Sequence, residues 1–216
     1  MELVRDFKNL KTMKTVLKIK TWCTISFGII FLLLFFSCEK PGDCFESTGN
    51  IIKKDVAISS FTKLEVHRGI AVEITQGTNY GLQIEAGENQ IGNINITQSG
   101  NTLKLEDNTS CNWLREYGSV KIYVTAPNIE EIYSKTDRNI SSNGVLNYPN
   151  LWLKAFDKEG DNQDEAGTGD FILNLNCNQF NIDSNTLPRF IISGNVTNAT
   201  FNIWANDCRI EAQDLT

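Results

Sequence analysis

The stretch FTKLEVHRGIAVEITQG, residues 61–77, puts Leu64, Val66, Ile70, Val72 and Ile74 on even positions and charged or small residues on most odd ones. A period of two sends alternate side chains to opposite faces of an extended chain. The segment therefore reads as two strands with one buried face. Arg68-Gly69 interrupts the alternation and predicts a bulge or tight turn. The pattern resumes in Leu82-Ile84-Ala86, Ile94-Ile96, Leu103-Leu105 and Val120-Ile122-Val124, with Asn, Gly and Asp clustered between the runs as turns require. No window of a dozen residues past Cys38 carries a helical stripe, so the body is expected to be all-β. The acidic, Gly-rich stretch DKEGDNQDEAGTGD, residues 157–170, predicts a loop.

The second half repeats itself. FNIDSN at 180–185 returns as FNIWAN at 201–206, and PNIEEI at 127–132 is echoed by PNLWL at 149–153. A spacing near 20 built of short strands and turns is the pattern of a β-solenoid, in which stacked coils bury one continuous core. Asn185 and Asn206 would then stack at equivalent corners. An ordinary β-sandwich with evenly spaced hairpins is the alternative.

The N-terminus has a different character. Six basic residues against two acidic ones precede Thr21–Ser37, which is uncharged and mostly apolar. A basic stretch, an apolar stretch and a small residue at the boundary form an export signal. The run is at the lower limit for spanning a bilayer. It ends on Ser37-Cys38, and a small residue before Cys at that point resembles the lipobox of bacterial lipoproteins, with Phe35 where Leu is usual. Residues 1–37 read as a lipoprotein signal, residues 38–48 as a tether, and Cys38 as the lipid attachment site. An uncleaved anchor helix and plain secretion are the alternatives. Two or three acyl chains, at about 0.8 kcal/mol per buried CH₂, would hold the body to a membrane firmly.

Past residue 37 the chain carries fourteen Lys and Arg against twenty-four Asp and Glu. That balance argues against nucleic acid as a partner. The body also holds Cys44, Cys111, Cys177 and Cys208, with no CxxC pair and a single histidine, so no zinc site, metal or cofactor is expected. Export permits disulfides. Cys44–Cys111 is the preferred bridge and four reduced thiols the alternative, since spacing does not give connectivity.

Taken together, FTKLEVHRGIAVEITQG, LQIEAGEN and KIYVTAPNIEEI resemble the head GIN domain family. Its members are described as autotransporter adhesins, are common in Bacteroidetes and are often lipoproteins. The resemblance runs from residue 49 to Thr216. It implies a right-handed, three-sided, pectate-lyase-like β-solenoid and no catalytic residues. SKTDRNISS and NQDEAGTGD stand where Gly-Ser-Gly turns are usual, and the last coil is expected to be incomplete.

Chemistry is sparse. His67 has no nucleophile motif near it and is expected to be a solvated surface residue. The acidic set Asp157, Glu159, Asp161, Asp164, Glu165 and Asp170 lies in a loop and lacks calcium-loop spacing. Trp152 and Trp204 sit between inward residues, so alternation points them outward as candidate ligand contacts. The expectation is a non-catalytic, lipid-anchored binding or adhesion module of the cell envelope, at the outer membrane or cell surface. Its partners would be the membrane, through lipid, and a glycan or envelope protein. A polysaccharide-acting enzyme and a structural lipoprotein that docks another envelope protein are the alternatives.

Overall fold

In a computed structural model, the structure describes residues 47–109, 120–157, 167–205 and 207–216. The chain divides into two compact units, Met1–Gly42 and Asp43–Thr216, and every described residue belongs to the second. The signal or anchor helix, Cys38, Cys44, Cys111, most of the acidic loop and Asn206 lie outside the described residues.

Period-two segments form strands wherever the alternation is strong. The first group is β1 (Ile51–Val56), β2 (Lys63–His67), β3 (Ile70–Gln76), β4 (Gly81–Gly87), β5 (Ile94–Ser99), β6 (Thr102–Asp107) and β7 (Val120–Ala126). The second is β8 (Glu131–Lys135), β9 (Ile140–Leu146), β10 (Asn150–Ala155), β11 (Phe171–Ser184), β12 (Arg189–Ile203) and β13 (Arg209–Leu215). One 3-10 turn, Ile91–Asn93, is the only helical element among the described residues. Gly69 links β2 to β3 with φ 82°, a left-handed backbone that Gly adopts without Cβ strain.

All the strands belong to one sheet, ordered β1-β4-β7-β3-β9-β11-β10-β8-β2-β6-β5, with β12 on β11 and β13 on β12. The two long strands hold it together. β11 pairs through its first half with β9 and through its second with β10, and β12 follows β11 along nearly its whole length. The sheet curls as a half-barrel around one apolar cluster that includes Leu64, Ile70, Leu103, Ile122, Phe171 and Phe180, all essentially inaccessible. Burying a side chain of this size is worth about 1.5–3 kcal/mol, so the cluster dominates stability.

The expected right-handed, three-sided β-solenoid is not what the chain forms. Such a coil needs parallel strands at near-constant intervals. Here β1–β4, β4–β7 and β5–β6 are antiparallel, and the sheet is mixed and continuous. The intervals also vary. Glu131 pairs with Trp152, Leu151 with Phe180, and Phe171 with Phe190, which are separations of 21, 29 and 19 residues. The sequence repeats do fall on neighbouring strands, but out of register. Phe180 pairs with Ala199, and Phe201 with Ile182. A slip of two residues leaves every side chain on its original face, which is why the repeat still matches the burial pattern.

Candidate functional site

The outer face of β6, β2, β8, β10, β11 and β12 is a registered polar surface. Parallel registry places one residue from each strand in a row. Thr102, Lys63, Glu131, Trp152, Asn181 and Thr200 form the first row; Lys104, Glu65, Tyr133, Lys154, Asp183 and Asn202 form the second. Neighbouring positions in a row are about 4.8 Å apart, so each row spans roughly 24 Å.

Its charges are knitted together. Glu131 accepts from Lys63 at 3.4 Å and from Lys154 at 3.0 Å. Lys154 Nζ stands 3.6 Å from the centre of the Trp152 ring. Asn202 Nδ2 donates to Asp183 Oδ1 at 2.8 Å, and Gln179 Nε2 to Asn181 Oδ1 at 3.2 Å. His67 lies on this face, as alternation requires, but is only 6% exposed and stands 2.7 Å from Glu65 Oε1. The expected solvated histidine is therefore covered. Its strand is flanked on both sides, and Lys135 is its register partner on β8. The His67 hydrogen bond holds the Glu65 carboxyl below the ordinary carboxylate range.

Trp152 is 36% and Trp204 62% exposed, so both point outward. They do not form one platform. Trp204 follows β12 and packs on Phe156 with ring centres 5.7 Å apart, four positions further along the strands and two strands across from Trp152. That is roughly 16 Å by strand geometry. The Trp152 face is also occupied by Lys154, a contact worth about 0.5–1 kcal/mol at an exposed site. A sugar ring can stack there only after Lys154 swings aside. The signal for this coupling was present in the sequence as Trp152-x-Lys154, two residues on one face of a strand.

A second surface lies on β1, β4 and β7. A depression of about 430 Å³ there is lined by Asp55, Val56, Leu82, Gln83, Tyr123 and neighbouring groups. Tyr123 donates to Glu85 at 2.9 Å, while Lys53 and Lys121 sit 4.6 and 4.7 Å from its ring centre. The hydrogen bond from Lys53 holds the Glu85 carboxyl down. Lys53 pairs with Glu85 at 3.0 Å and Lys121 with Glu73 at 2.8 Å, so both cations have a carboxylate partner.

Among the described residues no His, Cys, Asp and Glu side chains gather in a group able to hold a metal ion. Cys177 and Cys208 are free thiols, and burial raises the pKa of both. Cys177 Sγ lies 3.0 Å from Gln179 O and Cys208 Sγ lies 3.6 Å from Pro188 O, so both are held by backbone. Asp170 of the acidic set pairs with Arg189 Nη2 at 2.5 Å. Among the described residues no helix is long and apolar enough to cross a membrane.

These features define a class: an all-β protein that displays a registered polar face on the outside of a curled mixed sheet. The family model described as "Putative auto-transporter adhesin, head GIN domain" matches residues 60–216, and the chain belongs to that family. Solved structures share the fold. A "putative adhesin" from Bacteroides fragilis is 22% identical over 77% of this chain and 78% of that chain, with a TM-score of 0.61. Two further structures of the same description come from Parabacteroides. The one from Parabacteroides merdae is 14% identical over 79% and 76%, with a TM-score of 0.55. The one from Parabacteroides distasonis is 12% identical over 79% and 77%, with a TM-score of 0.53. At these identities the likeness is one of fold. No curated protein matches the chain.

Proposed function

We propose that this protein is a non-catalytic binding module of the cell envelope, held to a membrane by lipid on Cys38, whose outer face contacts an extended polar ligand. The observation that carries this reading is the registry of two rows of amide, hydroxyl and charged side chains with Trp152 among them. Their spacing suits a polymer that runs across strands and offers a hydrogen-bonding group at each step, as an extended glycan does. The adhesin description of the family supports binding rather than turnover. An export signal ending on Ser37-Cys38 supports the envelope and the lipid anchor.

Full-length protein applied to a glycan and envelope-protein array tests the face. Trp152→Ala and Asn181→Ala should each weaken capture of the bound ligand, and Lys154→Ala should change it by uncovering the Trp152 ring. Capture that none of the three alters would sink the outer-face reading. Cys38→Ala should release the protein into the soluble fraction. Retention of the variant in the membrane would contradict lipidation as the anchor.

A further inference from the structure

The depression on β1, β4 and β7 is a hollow made by a missing side chain. Three rows cross these strands. Lys53, Glu85 and Lys121 form the first, Asp55, Gln83 and Tyr123 the second, and Gly81 and Thr125 the third. The depression is lined by the second and third rows together with Val56 and Leu82, and by no residue of the first. Both ammonium groups that approach the Tyr123 ring, those of Lys53 and Lys121, belong to the first row. The hollow therefore meets the ring on the side away from the lysines. A Cβ at Gly81 would stand 3.6 Å from Thr125 Cβ, an ordinary contact, and its φ is not positive, so the fold does not require glycine there. The space it leaves is about 430 Å³, within the range of small-ligand sites, about 300–1,000 Å³.

Its polar wall is preset. Gln83 Nε2 donates to Asp55 Oδ1 at 2.8 Å, which fixes an amide beside a carboxylate across two strands. That bond uses one amide hydrogen and one carboxylate oxygen. Asp55 Oδ2, Gln83 Oε1 and the second Nε2 hydrogen make no hydrogen bond to a described residue. Two acceptors and a donor side by side match a pair of adjacent hydroxyls, each of which gives one hydrogen bond and takes another. Charge narrows the class further. Asp55 in the wall disfavours an anion, and Lys53 and Lys121 beside the ring disfavour a cation. Each lysine already holds a carboxylate, Glu85 at 3.0 Å and Glu73 at 2.8 Å, so neither is left to draw an anion in.

We propose that this depression holds a single neutral pyranose, with the C–H face of the sugar against Tyr123 and two adjacent ring hydroxyls bound by Asp55 and Gln83. The ring supplies the apolar contact and the amide–carboxylate pair fixes the orientation, the division of labour that small-ligand sites use. The site takes one sugar unit, whereas the rows on β6 to β12 suit an extended ligand, and β3 and β9 lie between the two in the sheet. Neither Trp152 nor Lys154 lines the depression, so the proposal stands or falls separately from the outer-face reading.

The test is a ligand-observed NMR titration of the full-length protein in a polyoxyethylene detergent. The probes are the methyl pyranosides of glucose, galactose, mannose and N-acetylglucosamine, with choline and inorganic phosphate as charged comparators. At least one pyranoside should bind, in roughly the millimolar range expected of one small ligand in a shallow site. Asp55→Ala and Gln83→Ala, both surface changes, should each weaken it about tenfold by removing hydrogen bonds to the hydroxyls. Gly81→Val, which fills the hollow with a residue suited to a strand, should abolish binding, and Gly81→Ala should weaken it. Trp152→Ala should leave it unchanged. Far-ultraviolet circular dichroism matching wild type establishes that each variant is folded. Four results would overturn the site: no pyranoside bound; choline or phosphate bound in preference; binding that Asp55→Ala and Gly81→Val leave intact; or binding lost in Trp152→Ala.

Discussion

The two halves of β12 share a neighbour, β11, and an apolar alternation, yet solvent reaches them very differently. In the first half Phe190 and Ile192 are buried, and Phe190 stacks on Phe171 with ring centres 5.0 Å apart and planes within 11°. In the second half Ala199, Phe201 and Ile203 occupy equivalent core-facing positions, but Phe201 is 42% exposed. The difference is β13, which among the described residues lies beside the first half, pairing with Arg189–Gly194 and bonding Val196 through Thr216. Alternation decides which way a side chain points. Whether it is buried depends on a further strand being laid beside it.

That contrast can be broken or sharpened by substitution. Phe190→Ala should have the largest effect, about 3–5 kcal/mol of lost stability, since it empties a packed site with a strand on either side. Denaturant titration reads it. Gly194→Ala should come next. Gly194 sits at φ 104°, where β12 passes from covered to open, and a Cβ there would lie 2.1 Å from Leu175 O. The strained backbone alone costs roughly 1–3 kcal/mol, visible as a lowered melting temperature. Phe201→Ser should cost roughly 1–2 kcal/mol, less than Phe190→Ala, because 42% of the residue is already in solvent. A loss equal to that of Phe190→Ala would show that the second half is already covered. Asp170→Asn should have the smallest effect. It removes the carboxylate that Arg189 grips through Nε and Nη2 at the start of β12. Half of the Arg189 side chain is in solvent, so any destabilisation should disappear when the melt is repeated at high salt.

Much of this fold was legible in the sequence. Leu64, Val66, Ile70, Val72 and Ile74 are all buried, as period two required, and Arg68-Gly69 does turn the chain. The all-β class, the family and the outward placement of Trp152 and Trp204 follow from the same residues. Topology was not legible. FNIDSN and FNIWAN match at 21 residues, but the strands pair at 19, because backbone hydrogen bonding is indifferent to which equivalent inward residue sits opposite which. The antiparallel strands β1 and β5 come from pairings that no local repeat encodes. His67 read as solvated because alternation does not reveal what lies across from a strand, here β8 with Lys135 in register. At the candidate site, the outward residues could be read from alternation, but the rows they form could not. A row is a property of strand order, which brings Lys63, Glu131 and Trp152 side by side from distant parts of the chain.

Amide hydrogen exchange along β12, read residue by residue, addresses the contrast between its halves most directly. Amides in Arg189–Gly194 that bond into the sheet should be protected. Those of Phe201 and Ile203, which no described residue accepts from, should exchange faster, while Asn202 and Trp204, bonded towards β11, stay comparatively slow. Uniform protection of the second half, equal to that of the first, would contradict the difference between the two halves.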